Sequence, residues 1–500
     1  MGLVWQSNWS DKMRLVGSQV KLRLVRSNGD WHDFLDLDGD IGPTGDWQPT
    51  DPETTITMTQ NGGSWTLTHV DGMIESFVQR LASNSAFRYA ELVAREWPDG
   101  YRIDVTYDAN ASISRIADNR GQTAYFTSRW SYFYTSGAPV TEIGRFLDYI
   151  EIDYDDPATT TTSLKIDYSY AATPGEFLPP RIIAATVQDL TTSEIETIAS
   201  YEYYDSLHDG YLKTVFDGKG VAYGNSDYSS TSPYIGNMTS SNHPGEADRT
   251  DITYDSAYQS TVTNALGRST VYSFIDVPNV EGRRISTING VATANCLATT
   301  QSLAYTPAPV GAPDGYVYER VHRNGAVTRY ERDARGLVTK ETEDALGAGP
   351  RITLKQWHPS LHLPTRITTS HLQEDFVYDA GGLLLSYTQT DILAGSPSLG
   401  QTRVWTFSYQ TLASGMKVLG SVDGPGLVAE GVTDVTGYTY DAEGNLRTTT
   451  TPEGLLTGIV SVNPRGQPTL VRQPDGVETA FAYDFRGRLL SATRDPGGAA

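Results

Sequence analysis

Tyr440-Asp441-Ala442-Glu443-Gly444-Asn445-Leu446 and Tyr483-Asp484-Phe485-Arg486-Gly487-Arg488-Leu489 carry one phrase: Tyr-Asp, two variable residues, Gly, one residue, a large aliphatic. Weaker copies begin at Tyr107-Asp108, Tyr204-Asp205, Tyr254-Asp255 and Tyr378-Asp379. A phrase that returns every few tens of residues marks one supersecondary unit copied along the chain. Each letter has a physical use. Tyr ends a strand, and Asp accepts backbone hydrogen bonds from the turn that follows. The two variable residues suit the centre of a type I turn, and Gly supplies the left-handed conformation that closes it. Leu then opens the return strand, followed by β-branched residues such as Thr448-Thr449-Thr450-Thr451. Each copy reads as one β-hairpin with a bulge at the Gly.

The register continues where the letters have decayed. Val462-Asn463-Pro464-Arg465-Gly466-Gln467-Pro468 places a turn midway between the two clean copies. Trp357-His358-Pro359 puts an aromatic residue in the Tyr slot, and Arg332-Asp333-Ala334-Arg335-Gly336-Leu337 keeps Asp and Gly without the Tyr. Intervals of about 20–30 residues tile the second half. In the first half, Tyr107, Tyr154, Tyr204 and Tyr254 stand about two repeat lengths apart, which implies degenerate units between them.

Composition agrees with an all-β chain. Thr, Tyr, Val and Ile segments alternate with Gly, Pro, Asn and Asp throughout the 500 residues, and no linker divides them. The best helical candidate, Arg88 to Trp97, runs into Pro98-Asp99-Gly100-Tyr101 and reads better as strand, turn, strand. A net charge of −22 argues against general nucleic-acid binding, which needs a basic surface. No apolar run is long enough for a spanning helix. Met1 to Asn8 lacks the basic start and apolar core of a secretory leader. The lone Cys296 excludes an internal disulfide framework and has no activating neighbours.

At these residues the chain resembles a known family. Tyr-Asp-x-x-Gly-x-Leu is similar to the YD repeat of Rhs proteins, which recurs in bacterial insecticidal toxin complexes and animal teneurins. The resemblance extends to Gly2-Leu3-Val4-Trp5-Gln6-Ser7-Asn8-Trp9, to Gly62-Gly63-Ser64-Trp65-Thr66-Leu67-Thr68 and to Asp71-Gly72-Met73-Ile74-Glu75-Ser76-Phe77. It also takes in Phe274 through Gly282-Arg283-Arg284-Ile285-Ser286-Thr287. It implies an all-β fold: a long, spiralling antiparallel β-strip of hairpins forming an incomplete hollow shell. Residues 1–100 would be a pre-repeat hairpin region and 101–500 a YD-repeat strip continuous with it. The repeat-motif residues would be structural: Tyr107, Asp108, Tyr204, Asp205, Tyr254, Asp255, Tyr378, Asp379, Tyr440, Asp441, Gly444, Leu446, Tyr483, Asp484, Gly487 and Leu489.

The resemblance further implies a non-catalytic scaffold, part of a shell that encapsulates a C-terminal toxin for interbacterial competition. Its partners would be the remainder of the shell and the toxin cargo, in cis or from an adjacent frame, with glycans or a secretion apparatus as further candidates. Such a protein is secreted or displayed at the cell surface in its full-length context, and cytoplasmic before export. Relatives carry a self-cleaving Asp-Pro-x-Gly-Leu element and a toxin after the repeats. Here the sequence ends at Arg494-Asp495-Pro496-Gly497-Gly498-Ala499-Ala500, so the expectation is a partial shell.

Other features weigh less. Asp36-Leu37-Asp38-Gly39-Asp40-Ile41-Gly42 alternates carboxylates like a calcium loop, but Ile41 and Trp47 stand where the loop needs Gly and Glu. His358, His362, His371 and Glu374 suggest metal ligands, yet Pro359 and Pro364 disfavour the helix that would align them. Asp153, Asp155 and Asp156 form no carboxylate pair placed across a cleft. The tryptophans Trp5, Trp9, Trp31, Trp47, Trp65, Trp97 and Trp130 allow glycan stacking, but sheet cores also favour aromatic residues. No cofactor, metal or enzymatic activity is expected.

Overall fold

A computed structural model describes residues 12–15, 21–26, 31–36, 47–49, 56–81, 88–109, 112–135, 138–154, 163–171, 181–204, 211–278, 282–292, 298–306, 315–426 and 434–495. Among these residues lie thirty-eight strands, β1 to β38 in chain order, and one 3-10 turn at Pro244–Glu246. From β8 (Arg88–Glu96) to β38 (Leu489–Arg494), each strand pairs antiparallel with the next. The result is one long antiparallel sheet that does not close into a barrel. Hairpin connections make this topology local, because two antiparallel strands need only a tight turn between them.

The first eight strands depart from the simple strip. They are β1 (Lys12–Leu15), β2 (Lys21–Val25), β3 (Trp31–Asp36), β4 (Trp47–Pro49), β5 (Thr57–Asn61), β6 (Ser64–Thr68), β7 (Ile74–Leu81) and β8. β1 to β4 pair in order, and so do β5 to β8. β1 then returns to β8, while β4 lies beside β5 with no ladder between them among the described residues. β8 is therefore shared. One edge takes β7; the other takes β1 at Tyr89–Glu91 and β9 (Arg102–Tyr107) at Ala94–Glu96.

This curled group holds the main apolar core. Met13, Leu22, Leu24, Phe34, Trp47, Met58, Trp65, Leu67, Phe77 and Leu92 are buried together. The period-2 alternation of strand side chains puts Leu22 and Leu24 on the inner face. Arg23, on the opposite face, meets the buried Asp33 directly across the ladder.

Beyond residue 200 the buried apolar residues among those described are few: Val277, Val327, Leu361 and Met416. Most strand positions there are half-exposed, as a single-layer sheet requires. Cross-strand side-chain pairs then supply the packing. Phe376, Tyr387 and Trp405 stack across three successive strands with ring centroids 5.0 and 5.2 Å apart.

Candidate functional site: the repeat turn and the seam between windings

The repeat turn is built from the letters that announced it. Asp484 Oδ1 accepts the amides of Arg486 and Arg488, and the Gly487 amide donates to the Asp484 carbonyl. Asp379 Oδ1 takes the amides of Gly381 and Leu383 in the same way, and Asp441 Oδ1 takes that of Asn445. Gly444 and Gly487 sit at φ +85 and +80, where a β-carbon is strained. Burial raises the Asp484 carboxyl, but the amides and guanidinium of its own turn outweigh that and hold it below its ordinary value. Asp379 behaves alike, held down by Lys417 and its turn amides.

Across each hairpin the Tyr faces the aliphatic residue. Tyr440 pairs with Leu446, Tyr483 with Leu489, Tyr378 with Leu384 and Tyr107 with Ile113, with the register slipping beside the pair. Several of these tyrosines have a second use that spacing alone does not reveal. The hydroxyl reaches back and donates to a carbonyl on the neighbouring strand. Tyr107 bonds Leu92 at 2.8 Å, Tyr254 bonds Met238 at 2.8 Å, Tyr378 bonds Pro364 at 3.0 Å and Tyr483 bonds Pro468 at 2.9 Å. Tyr305 and Tyr409 do the same to Ile285 and Leu384, and Trp357 uses its indole N–H on Val338. Burial pushes the hydroxyls of Tyr254, Tyr378 and Tyr409 up from their ordinary value. Tyr378→Phe should cost about 1 kcal/mol, because it strands the Pro364 carbonyl in a half-buried place. Urea unfolding followed by circular dichroism checks this, and an unchanged midpoint would make the hydroxyl a spectator.

Two weak copies depart from the reading. At Tyr204-Asp205 the slot belongs to Tyr203: it pairs with Leu212 and donates to the Ile182 carbonyl. Tyr204 lies past the strand and bonds Ser226 and Asp227; burial, then Asp227, pushes its hydroxyl up to about 12. Asp205 lies outside the described residues. The aliphatic partner Leu212 is the signal that distinguishes the two tyrosines. At Tyr254-Asp255 the strand runs on to Ser256, and a two-residue turn follows at Ala257 and Tyr258. With no Gly three residues on, Asp255 has no turn to cap and takes the hydroxyls of Thr253 and Thr261 instead.

The turns also meet one another at a distance. Turns after even-numbered strands early in the chain abut turns after odd-numbered strands late in it. The Val70 carbonyl accepts the His362 amide at 2.9 Å, and the Asp99 carbonyl accepts the Lys417 amide at 2.6 Å. A β-carbon added to Gly72 would lie 3.0 Å from the Gly381 carbonyl oxygen, and one added to Gly100 only 2.7 Å from that of Gly415. Asn119 donates to the Ser414 carbonyl across 295 residues. Farther on, the Arg465 guanidinium covers the Tyr154 ring at 4.7 Å. Glu196 receives Arg486 and Arg488 from 290 and 292 residues away. Later turns of the first stretch meet the same or later turns of the second, and the partners stand roughly 290–320 residues apart throughout. The sheet is a spiral whose second winding rests on its first along a seam of turn tips. Leu361 and Met416, two of the few buried residues of the second half, belong to turns in this seam.

Sites of other kinds find little support. Among the described residues no three His, Cys, Asp or Glu side chains stand where they could hold one metal ion. His358 Nδ1 instead accepts the amide of Leu361 in its own turn. The Asp38 to Gly42 loop, Cys296, Asp155, Asp156, Trp5 and Trp9 lie outside the described residues. Trp47 and Trp65 are core residues, and Trp97 packs on Tyr101 at 5.3 Å. In the Phe376–Tyr387–Trp405 stack the rings turn their faces toward one another, so those faces are spent on packing. Among the described residues no helix is long and apolar enough to cross a membrane.

A single-layer strip of Tyr-Asp hairpins wound on itself defines a repeat protein whose surface is a wall. Residues 463–500 match the family model of the RHS repeat. No curated protein matches the chain in sequence. The crystal structure of TcdB2-TccC3-Cdc42 aligns with 94% of the chain at 12% identity and a TM-score of 0.50, using 23% of its own length. That of TcdB2-TccC3 aligns with 95% at 12% identity and a TM-score of 0.42, using 22%. The chain thus spans about a quarter of the length of these structures. Residues 463–500 thus carry an RHS repeat, and the fold of the described strip is similar to that of the TcdB2-TccC3-Cdc42 structure.

Proposed function

We propose that this chain is a wall segment of an Rhs-type shell, a non-catalytic scaffold that encloses a toxin polypeptide for delivery to competing bacteria. The seam carries this reading. A flat strip has two free rims, whereas turn-on-turn stacking between segments roughly 300 residues apart builds a curved surface with an inside. Pairing strand edges and stacking rims also removes sites of unwanted association. The solved TcdB2-TccC3-Cdc42 structure, similar in fold, is consistent with a wall of this kind. Partners in this reading are the rest of the shell and its cargo. Export precedes action, with residence in the cytoplasm until then. A glycan-binding surface has less behind it, because Trp47 and Trp65 are buried in the core and the faces of Phe376, Tyr387 and Trp405 are turned toward one another.

The test is enclosure itself. Co-expressed with the reading frames that flank its gene, the chain should render a downstream polypeptide resistant to protease, and mild denaturation should restore cleavage. Equal cleavage with and without this chain would overturn the proposal.

A further inference from the structure

The seam changes its chemistry along its length. At its start the contacts are backbone to backbone: Val70 to His362, Asp99 to Lys417, and glycine against glycine. None of these depends on side-chain charge. In the middle, Arg465 lies over Tyr154. At its far end the described contact is ionic. Arg486 Nη1 reaches Glu196 Oε2 at 3.0 Å, and Arg488 Nη2 reaches Oε1 and Oε2 at 2.8 and 2.9 Å. Arg488 is oriented from behind by Asp484, the Asp of the repeat turn. Glu196 stands on β15 (Ile195–Tyr203), opposite Val187 of β14 (Arg181–Asp189). Among the described residues its charged partners come from the second winding.

We propose that Glu196, Arg486 and Arg488 form a releasable clasp, so that the seam opens at this hairpin while its backbone contacts stay shut. The inference rests on the shell reading and adds a place to it: the windings part at the hairpin of β37 (Glu478–Tyr483) with β38. Both partners are partly exposed, and ions in water screen such pairs readily. A hydrogen bond between backbone groups held against glycines has no comparable sensitivity. Increasing ionic strength, or a competing polyanion binding the two arginines, should loosen the far end alone. The repeat grammar supplies the device cheaply, because both arginines occupy variable positions beside the fixed Gly487.

Distances between spin labels test this, with Cys296→Ser in every variant. The far pair is Thr192→Cys with Leu490→Cys; the near pair is Asp71→Cys with Ser360→Cys. These four positions are exposed and flank the two ends of the seam. Raising salt from about 0.05 to about 0.5 M should increase the open, long-distance population of the far pair roughly threefold or more and leave the near pair unchanged. Glu196→Gln should give the far pair its open population already at low salt. A far pair equally narrow in Glu196→Gln and its parent at both salts would refute the clasp. So would near and far pairs lengthening together. If instead the near pair is wide at low salt, the windings do not stack, and the shell reading falls along with the clasp.

Discussion

Glu75→Ala is expected to destabilise the curled group of the first eight strands by about 3–5 kcal/mol, the cost of breaking a buried ion pair by removing one partner. Glu75 is 1% exposed and stands on β7. Its carboxylate receives Arg26, just past β2, at 2.7 and 2.9 Å. It also receives Arg95 of β8 at 2.8 Å and His69 of the β6–β7 turn at 2.8 Å. One carboxylate thus ties three separate segments around a core that no disulfide supports. Unfolding in urea, followed through the buried Trp47 and Trp65, measures the loss. A loss below about 1 kcal/mol would place these pairs with ordinary surface ion pairs.

The same group predicts a pH dependence. Burial alone would raise the Glu75 carboxyl, but His69 and Arg26 outweigh it and draw it down to about 2 from 4.5. A carboxyl depressed on folding contributes stability that is full above its unfolded value and is lost as pH falls through the folded one. The contribution should therefore be complete above pH 4.5 and disappear toward pH 2, amounting to about 3 kcal/mol at one pKa unit per 1.4 kcal/mol. Glu75→Gln should flatten this part of the profile. An unchanged acid limb in that variant would assign the acid sensitivity to other carboxylates, Asp33 among them.

What the sequence made legible was whatever is local. Asp484 and Gly487 solve a problem within five residues, capping amides and adopting a left-handed φ, so the letters must appear and can be read. The strand–turn–strand reading of Arg88 to Tyr101 follows for the same reason, as Trp97 and Tyr101 close that turn. Tyr203 was harder, because Tyr204 also precedes an Asp and only the cross-strand partner Leu212 separates them. The curled group was hidden: its strands lack the phrase, and the return of β1 to β8 is a ladder between segments some eighty residues apart. The seam was hidden more deeply. Its first contacts are carbonyls, amides and the empty space beside glycines, which every sequence contains. Only the arginines at its far end are letters, and nothing local marks their partner.

Gly100→Ala is the substitution that should expose this silent interface. Gly100 has φ +77, and Gly454 has φ +79, so alanine meets similar backbone strain at both, about 1–2 kcal/mol. Their surroundings differ. Nothing lies within 4 Å of a β-carbon built on Gly454, whereas one on Gly100 would sit 2.7 Å from the Gly415 carbonyl oxygen and 3.4 Å from Met416 Cα. Both of those neighbours are backbone, so the clash cannot be relieved by a rotamer change; the windings must part. The excess of Gly100→Ala over Gly454→Ala should be about 1–3 kcal/mol, the ordinary cost of overpacking. It should fall on the seam, and the readout is local. The Lys417 amide, which donates to the Asp99 carbonyl across the seam, should lose its protection from hydrogen exchange in Gly100→Ala and keep it in Gly454→Ala. Equal destabilisation by the two variants, with Lys417 still protected in both, would mean that this glycine serves its own turn alone. A loss confined to Gly100→Ala would show that the residue which lets the chain turn is also the residue which lets one winding lie against the next. A repeat that seems to encode only hairpins would then also encode the pitch of the spiral.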